Sequence, residues 1–133
     1  IRMKNHQESA LAVARFLEGH PKVKAVNYPG LDSNKNHRLA EKYLPNGCSG
    51  VVSFGVKGGR EAAMKFMDRL KLAAIVTHVA DARTCVLHPA STTHRQLTDQ
   101  QLADAGVSPD LIRFSVGIEN VEDIISDIEQ ALN

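Results

Sequence analysis

The sequence predicts an α+β layer: a small, mainly antiparallel sheet with helices packed on one face. Three observations carry this expectation. Segments of period two, such as Val52, Phe54 and Val56 or Ile112, Phe114, Val116 and Ile118, read as strands with one buried face. Between them run one-sided apolar stripes at helical spacing, the pattern of helices lying on a sheet. In the middle of the chain, Leu72 to Val79 and Arg83 to His88 read as two strands with only Asp81-Ala82 as a turn or bulge between them. Adjoining strands without an intervening helix favour the α+β class over a parallel alternation.

Taken in order, Ala10, Val13, Ala14 and Leu17 make the inner stripe of a first helix, stopped by Gly19 and Pro21 and with no capping residue at its start. Val23 to Tyr28 is a short strand closed by Pro29-Gly30. Ser33 or Asn34 is expected to cap a second helix whose inner face is Ala40, Tyr43 and Leu44, ended by Pro45-Asn-Gly47. The strand of Val52, Phe54 and Val56 follows. Gly58-Gly59 then opens the clearest helix, with Ala63, Phe66, Met67 and Leu70 on one stripe. A bare Gly-Gly has neither dinucleotide nor P-loop spacing, so it reads as a loop-to-helix junction. Thr98 and Gln101 have the reciprocal capping spacing of a helix carrying Leu102 and Ala105 and ending at Gly106. After the strand Leu111 to Glu119, Asn120 caps a last helix with Val121, Ile124, Ile125, Ile128, Ala131 and Leu132 inward. Glu122 and Asp123 sit in its first turn, where the helix dipole favours acids.

At 133 residues the chain is long enough for one domain around a single core, and no repeat or linker divides it. Sixteen basic against fifteen acidic side chains create no field for nucleic acid or an anionic membrane. No apolar run reaches the roughly 18 residues of a membrane-spanning helix. Cys48 and Cys85 lie in no metal-ligand or redox spacing and are expected as free thiols in the reducing cytoplasm. The chain begins with Ile1 rather than Met and is expected to be a piece of something longer.

The outward face of the last strand holds the first chemical signal. It carries Arg113, flanked along that face by Ser115 and Gly117, small enough for something to approach. A guanidinium so placed suits a fixed carboxylate or phosphate, to which it offers two parallel charge-assisted hydrogen bonds. Other constellations are weaker. His78, His88 and His94 lack the helical pairing of a zinc enzyme, and no Cys or Glu completes a ligand set. Ser91, His94 and Asp99 list the members of a triad without a nucleophile elbow. Asp81 beside Arg83 reads as a turn acid or local ion pair, and Cys85 as a buried, inert thiol.

His88-Pro-Ala-Ser-Thr-Thr-His94, with Asn27-Tyr-Pro-Gly-Leu31, Gly58-Gly-Arg60 and Leu111-Ile-Arg-Phe-Ser-Val-Gly-Ile-Glu119, resembles the pyridoxal-phosphate enzymes of Cys/Met metabolism, the relatives of cystathionine synthases and lyases. The resemblance runs from about His6 to the C-terminus. It implies that residues 1–133 are the C-terminal, substrate-carboxylate-binding domain of a larger fold-type-I enzyme. Within the family, His78-Val-Ala-Asp-Ala-Arg-Thr84 is closer to the Asn-Val-Gly-Asp of the O-acetylhomoserine sulfhydrylase branch than to the Ser-Leu-Gly-Gly of cystathionine-type members. His78 itself matches neither. The resemblance implies that Arg113 grips the substrate α-carboxylate and that His78 assists through its backbone or a ring N–H. It also implies pyridoxal phosphate bound outside these residues, because no cofactor-type lysine motif occurs among them, so the fragment alone is expected to be inactive. The implied partners are an amino-acid substrate, the rest of the same chain and further copies in a homo-oligomer, with neither nucleic acid nor membrane. The competing readings are a cystathionine γ-synthase or lyase domain, a stand-alone regulatory module for small ligands, and a purely structural assembly domain.

Overall fold

The computed structural model describes residues 1–133. The helices are α1 (Arg2–Gly19), α2 (His37–Tyr43), α3 (Gly59–Arg69), α4 (Asp99–Asp104) and α5 (Val121–Leu132). The strands are β1 (Val23–Asn27), β2 (Val51–Val56), β3 (Ala74–Ile75), β4 (Cys85–Leu87) and β5 (Leu111–Ser115). They form one sheet in the order β1-β2-β5-β4-β3, antiparallel throughout except for the parallel β3–β4 edge. The expected α+β layer is the observed one.

The core lies on one face of the sheet. Val52, Phe54 and Val56 of β2, Val86 of β4, and Ile112 and Phe114 of β5, with Val116 just beyond it, meet Ala10, Val13, Ala14 and Leu17 of α1, Ala63, Phe66 and Met67 of α3, and Ile124, Ile128, Ala131 and Leu132 of α5. Phe54 meets Phe66 edge-on, with centroids 5.7 Å apart and planes at 85°, the arrangement favoured by the ring quadrupoles. Helix caps follow the sequence. Thr98 and Gln101 close both bonds of the capping box, and the Asn120 side chain accepts from Glu122 N–H. Arg60 of α3 joins α3 to the next layer, donating to Ala90 O at 3.0 Å and to Asp99 of α4 at 2.7 Å.

Several element limits differ from expectation, each for a traceable reason. Of the strand expected over Leu72 to Val79, only Ala74–Ile75 forms. The backbone N–H groups of Lys71, Leu72 and Ala73 all donate to the Asp127 carboxylate of α5, at 2.8 to 3.0 Å, and so are lost to any ladder. β5 stops at Ser115 rather than Glu119. Val116 N–H makes one more bond to the β2 side, at Gly50 O, and Ile118 N–H then turns to Ala82 O, leaving Ile118 exposed instead of on the buried face. In α2 only Ala40 is buried. Tyr43 and Leu44, expected inward, are 66% and 48% exposed and line an open cleft with Met3 and Gln7 of α1. Its N-cap is Asn36, whose N–H donates to the Asn34 side chain, while Ser33 bonds Glu18 instead. Ala105, expected on the inner stripe of α4, is exposed at its C-cap, leaving Leu102 as the buried contact.

Asp127 is the acid on which the entry to β3 hangs. Burial alone would raise its pKa, but the three backbone donors and Gln130 outweigh burial and hold it below the usual carboxylate value. Replacing Asp127 with Ala orphans these donors and is expected to lower unfolding stability by about 2–3 kcal/mol in urea titrations. A carboxyl whose folded pKa is depressed stabilises fully above its unfolded pKa, and that stability disappears as pH falls through the folded value. The melting temperature of the wild type should therefore fall below about pH 4, and the gap to Asp127→Asn should narrow there.

Candidate substrate-carboxylate site

β5 is bonded on both edges, so its outward residues stand in mid-sheet. Arg113 lies opposite Ser53 of β2 and Leu87 of β4, on the face turned away from the helical layer. It is half-buried. One terminal nitrogen, Nη2, donates to Thr77 O at 2.8 Å and His78 O at 3.4 Å. Its Nε is buried and has no hydrogen-bond partner. A guanidinium braced at one nitrogen and holding an unused buried donor is prepared for an acceptor from elsewhere.

The bracing carbonyls belong to the loop between β3 and β4, which crosses this face without regular structure. The structure thus brings the His78 backbone to Arg113. The His78 side chain is exposed and makes no hydrogen bond of its own; its charge, when present, acts on Asp81. Ala80 N–H donates to Ser115 Oγ at 3.1 Å, and Arg2 reaches Ala80 O at 2.5 Å. Ala80 sits in the left-handed region at φ 59°, unusual for a residue with a Cβ. Asp81 accepts from Arg83 N–H at 3.0 Å. That bond chiefly lowers its pKa, with Arg83, His78 and Arg2 adding cationic support. Asp81 is therefore a turn acid.

Ser115 and Gly117, read from sequence as room for a ligand, are instead covered by the chain itself. Ser115 is buried under Ala80. A Cβ on Gly117 would lie 2.5 Å from Ala82 O and from Thr84 N, so only glycine admits the loop there. The assembled triad does not exist: Ser91 bonds His88 Nδ1, His94 faces Thr93 and Asp99 pairs with Arg60. His88, with Pro109 O on its other nitrogen at 2.8 Å, is a buried strut. Burial pushes the Cys85 thiol up, consistent with an inert core position.

Sequence reasoning missed the Thr84–Glu119 contact. Glu119 accepts from Thr84 N–H at 2.6 Å and from the Thr84 hydroxyl at 2.8 Å, across 35 residues of chain. No local period encodes such a pair. The one available sign was an acid on the face that already carried Arg113.

The fold and this face define an α+β domain that carries one braced guanidinium on the sheet face opposite its helical layer. Comparison with known proteins is more particular: residues 1–133 match the family of Cys/Met metabolism PLP-dependent enzymes, and the chain belongs to it. A homocysteine synthase of Schizosaccharomyces pombe is 53% identical over 132 residues, covering 99% of this chain and 31% of that protein. An O-acetyl-L-homoserine sulfhydrylase of Leptospira meyeri is 49% identical, covering 99% of this chain and 30% of that protein. A crystal structure described as an O-acetylhomoserine (thiol)-lyase of Campylobacter jejuni, containing pyridoxyl-lysine monophosphate, superposes with a TM-score of 0.92 at 42% identity, over 98% of this chain and 31% of that one. The chain spans about 30% of the length of the curated relatives it matches.

The lysines all lie at the surface, where Lys22, Lys24, Lys57 and Lys65 reach Leu132 O, Asp110, Pro21 O and Glu61. Ala80, where the sulfhydrylase branch resembled here carries Gly, yields a direct test of backbone strain. Ala80→Gly is expected to raise unfolding stability by about 0.5–1 kcal/mol, read from the denaturation midpoint.

Proposed function

We propose that residues 1–133 form the C-terminal, substrate-carboxylate-binding domain of an O-acetylhomoserine sulfhydrylase. The intact enzyme joins the sulfur of sulfide to the γ-carbon of O-acetylhomoserine, releasing acetate and giving homocysteine. The observation that carries the reading is the unpartnered, buried Nε of Arg113 in a guanidinium already braced at Nη2. The homocysteine synthase and O-acetyl-L-homoserine sulfhydrylase relatives, 53% and 49% identical, support the branch.

In this reading Arg113 binds the α-carboxylate and orients the substrate, with charge-assisted bonds that neither a lysine nor a neutral donor reproduces. His78 assists by its carbonyl, which holds the guanidinium in place, and by its exposed ring at the rim. Pyridoxal phosphate, held by the portion of the enzyme outside these residues, supplies the electron sink for chemistry at the substrate carbons. The free thiols Cys48 and Cys85 suit a reducing cytoplasm, and the enzyme is read as a homotetramer after the family it resembles.

The full-length protein is expected to show a Schiff-base absorbance and to form homocysteine from O-acetylhomoserine and sulfide, whereas residues 1–133 alone do neither. Turnover of cystathionine with indifference to sulfide would move the protein to the cystathionine branch. Tight calorimetric binding of methionine or homoserine esters by residues 1–133 alone would favour a regulatory module. In the full-length enzyme, Arg113→Ala should lose about 1.5–3 kcal/mol of transition-state stabilisation, roughly ten- to a hundred-fold in kcat/KM, mainly through KM. Unchanged kinetics would remove Arg113 from the site.

A further inference from the structure

The loop that braces Arg113 has no helix or strand to keep its shape, yet its carbonyls must stay within hydrogen-bond reach of one nitrogen. Apart from Arg2, which donates to Ala80 O, its fastenings come from β5 and the residues just past it. Ser115 Oγ accepts from Ala80 N–H, Ile118 N–H donates to Ala82 O, and Glu119 takes both the N–H and the hydroxyl of Thr84. The Thr84 hydroxyl, fully buried, also accepts from Gly117 N–H at 2.9 Å. Thr84 is thus engaged at its hydroxyl proton, at one lone pair and at its amide. Glu119 makes no ion pair with any basic side chain, so its charge is spent on this one residue of the loop. Hydrogen bonds to a carboxylate are the stronger kind, and they fasten the loop where it rejoins the sheet at β4.

We infer that Glu119 and Thr84 are positioning residues for the carboxylate anchor. By fixing the far end of the β3–β4 loop, they keep the Thr77 and His78 carbonyls against Nη2 and leave the Nε–H of Arg113 without an internal partner. An arginine has extensive rotamer freedom, and a side chain ordered before binding loses less entropy when the substrate arrives. Loosening the clasp therefore weakens substrate capture without touching the reacting atoms. The inference rests on Arg113 as the carboxylate anchor.

The test uses the full-length enzyme with Thr84→Val, Thr84→Ser, Glu119→Gln and Arg113→Lys. KM and kcat for O-acetylhomoserine are read alongside hydrogen–deuterium exchange over residues 76–84. Thr84→Val removes both hydroxyl bonds at nearly constant volume. It is expected to speed exchange in the loop and raise KM about ten-fold, with kcat changed by less than about two-fold. Thr84→Ser restores the hydroxyl and should restore KM. Glu119→Gln, at a half-buried position that tolerates the change, should fall between the two and carries the comparison if Thr84→Val does not fold. Faster loop exchange with KM unmoved in Thr84→Val or Glu119→Gln, while Arg113→Lys raises KM, overturns the inference and leaves the carboxylate reading standing. An unmoved KM in Arg113→Lys as well overturns both.

Discussion

Everything in this domain depends on the alternation of β5. The strand is bonded to β2 on one edge and β4 on the other, so it can neither slip nor fray alone. Ile112 and Phe114 go into the helical layer and fix the core, and the same backbone then delivers Arg113 and Ser115 to the opposite face. A register shift of one residue would drive the guanidinium among Phe54, Phe66 and Ile128, where an unpaired charge is prohibitively costly. The hydrophobic face and the arginine-bearing face therefore specify each other. The core positions the arginine, and the arginine excludes the alternative register.

Within that frame, acids act as organisers rather than as reactive groups. Asp127 gathers three amides ahead of β3, and Glu119 gathers an amide and a hydroxyl ahead of β4. The two carboxylates thus bracket β3 and the irregular loop that follows it, one from α5 and one from the strand extension. Neither makes an ion pair with a lysine or arginine. A carboxylate accepting backbone N–H groups is a directional fastening, whereas a pair of long exposed side chains contributes little.

This division explains what could be read from the sequence. Periodicity gave the existence of α1, β2, α3, β5 and α5, because each buries one face against the same core. The caps at Thr98 and Asn120 were legible because capping is local. Strand ends were not. The start of β3 is set by Asp127, more than fifty residues away, and the end of β5 by an acceptor at Ala82 that no window around the strand contains. The misplaced face of α2 has a different origin: three apolar residues satisfied the helical stripe, but a stripe shows what a helix can bury and not whether anything covers it. For the site, the arginine on a lightly covered strand face was visible as chemistry. The reading of Ser115 and Gly117 as ligand space failed because small residues admit any close neighbour, and here the neighbour is the domain's own loop.

The arginine's own surroundings show why such a loop is needed. Arg60 has Asp99, Lys24 has Asp110 and Lys65 has Glu61, whereas Arg113 has no carboxylate partner in the domain. Asp81, an acid of the same loop, is committed to the Arg83 amide and is stabilised as an anion by other cations. Under the proposed function, an internal acid on Arg113 would satisfy the fold but take the place of the substrate carboxylate. Backbone carbonyls at Thr77 and His78 do something narrower: they accept from one nitrogen, carry no charge to compete with an incoming anion, and leave a donor unspent. Holding a half-satisfied guanidinium in this way reduces stability locally, and the fastenings at Ser115, Thr84 and Asp127 offset that loss in the adjoining backbone.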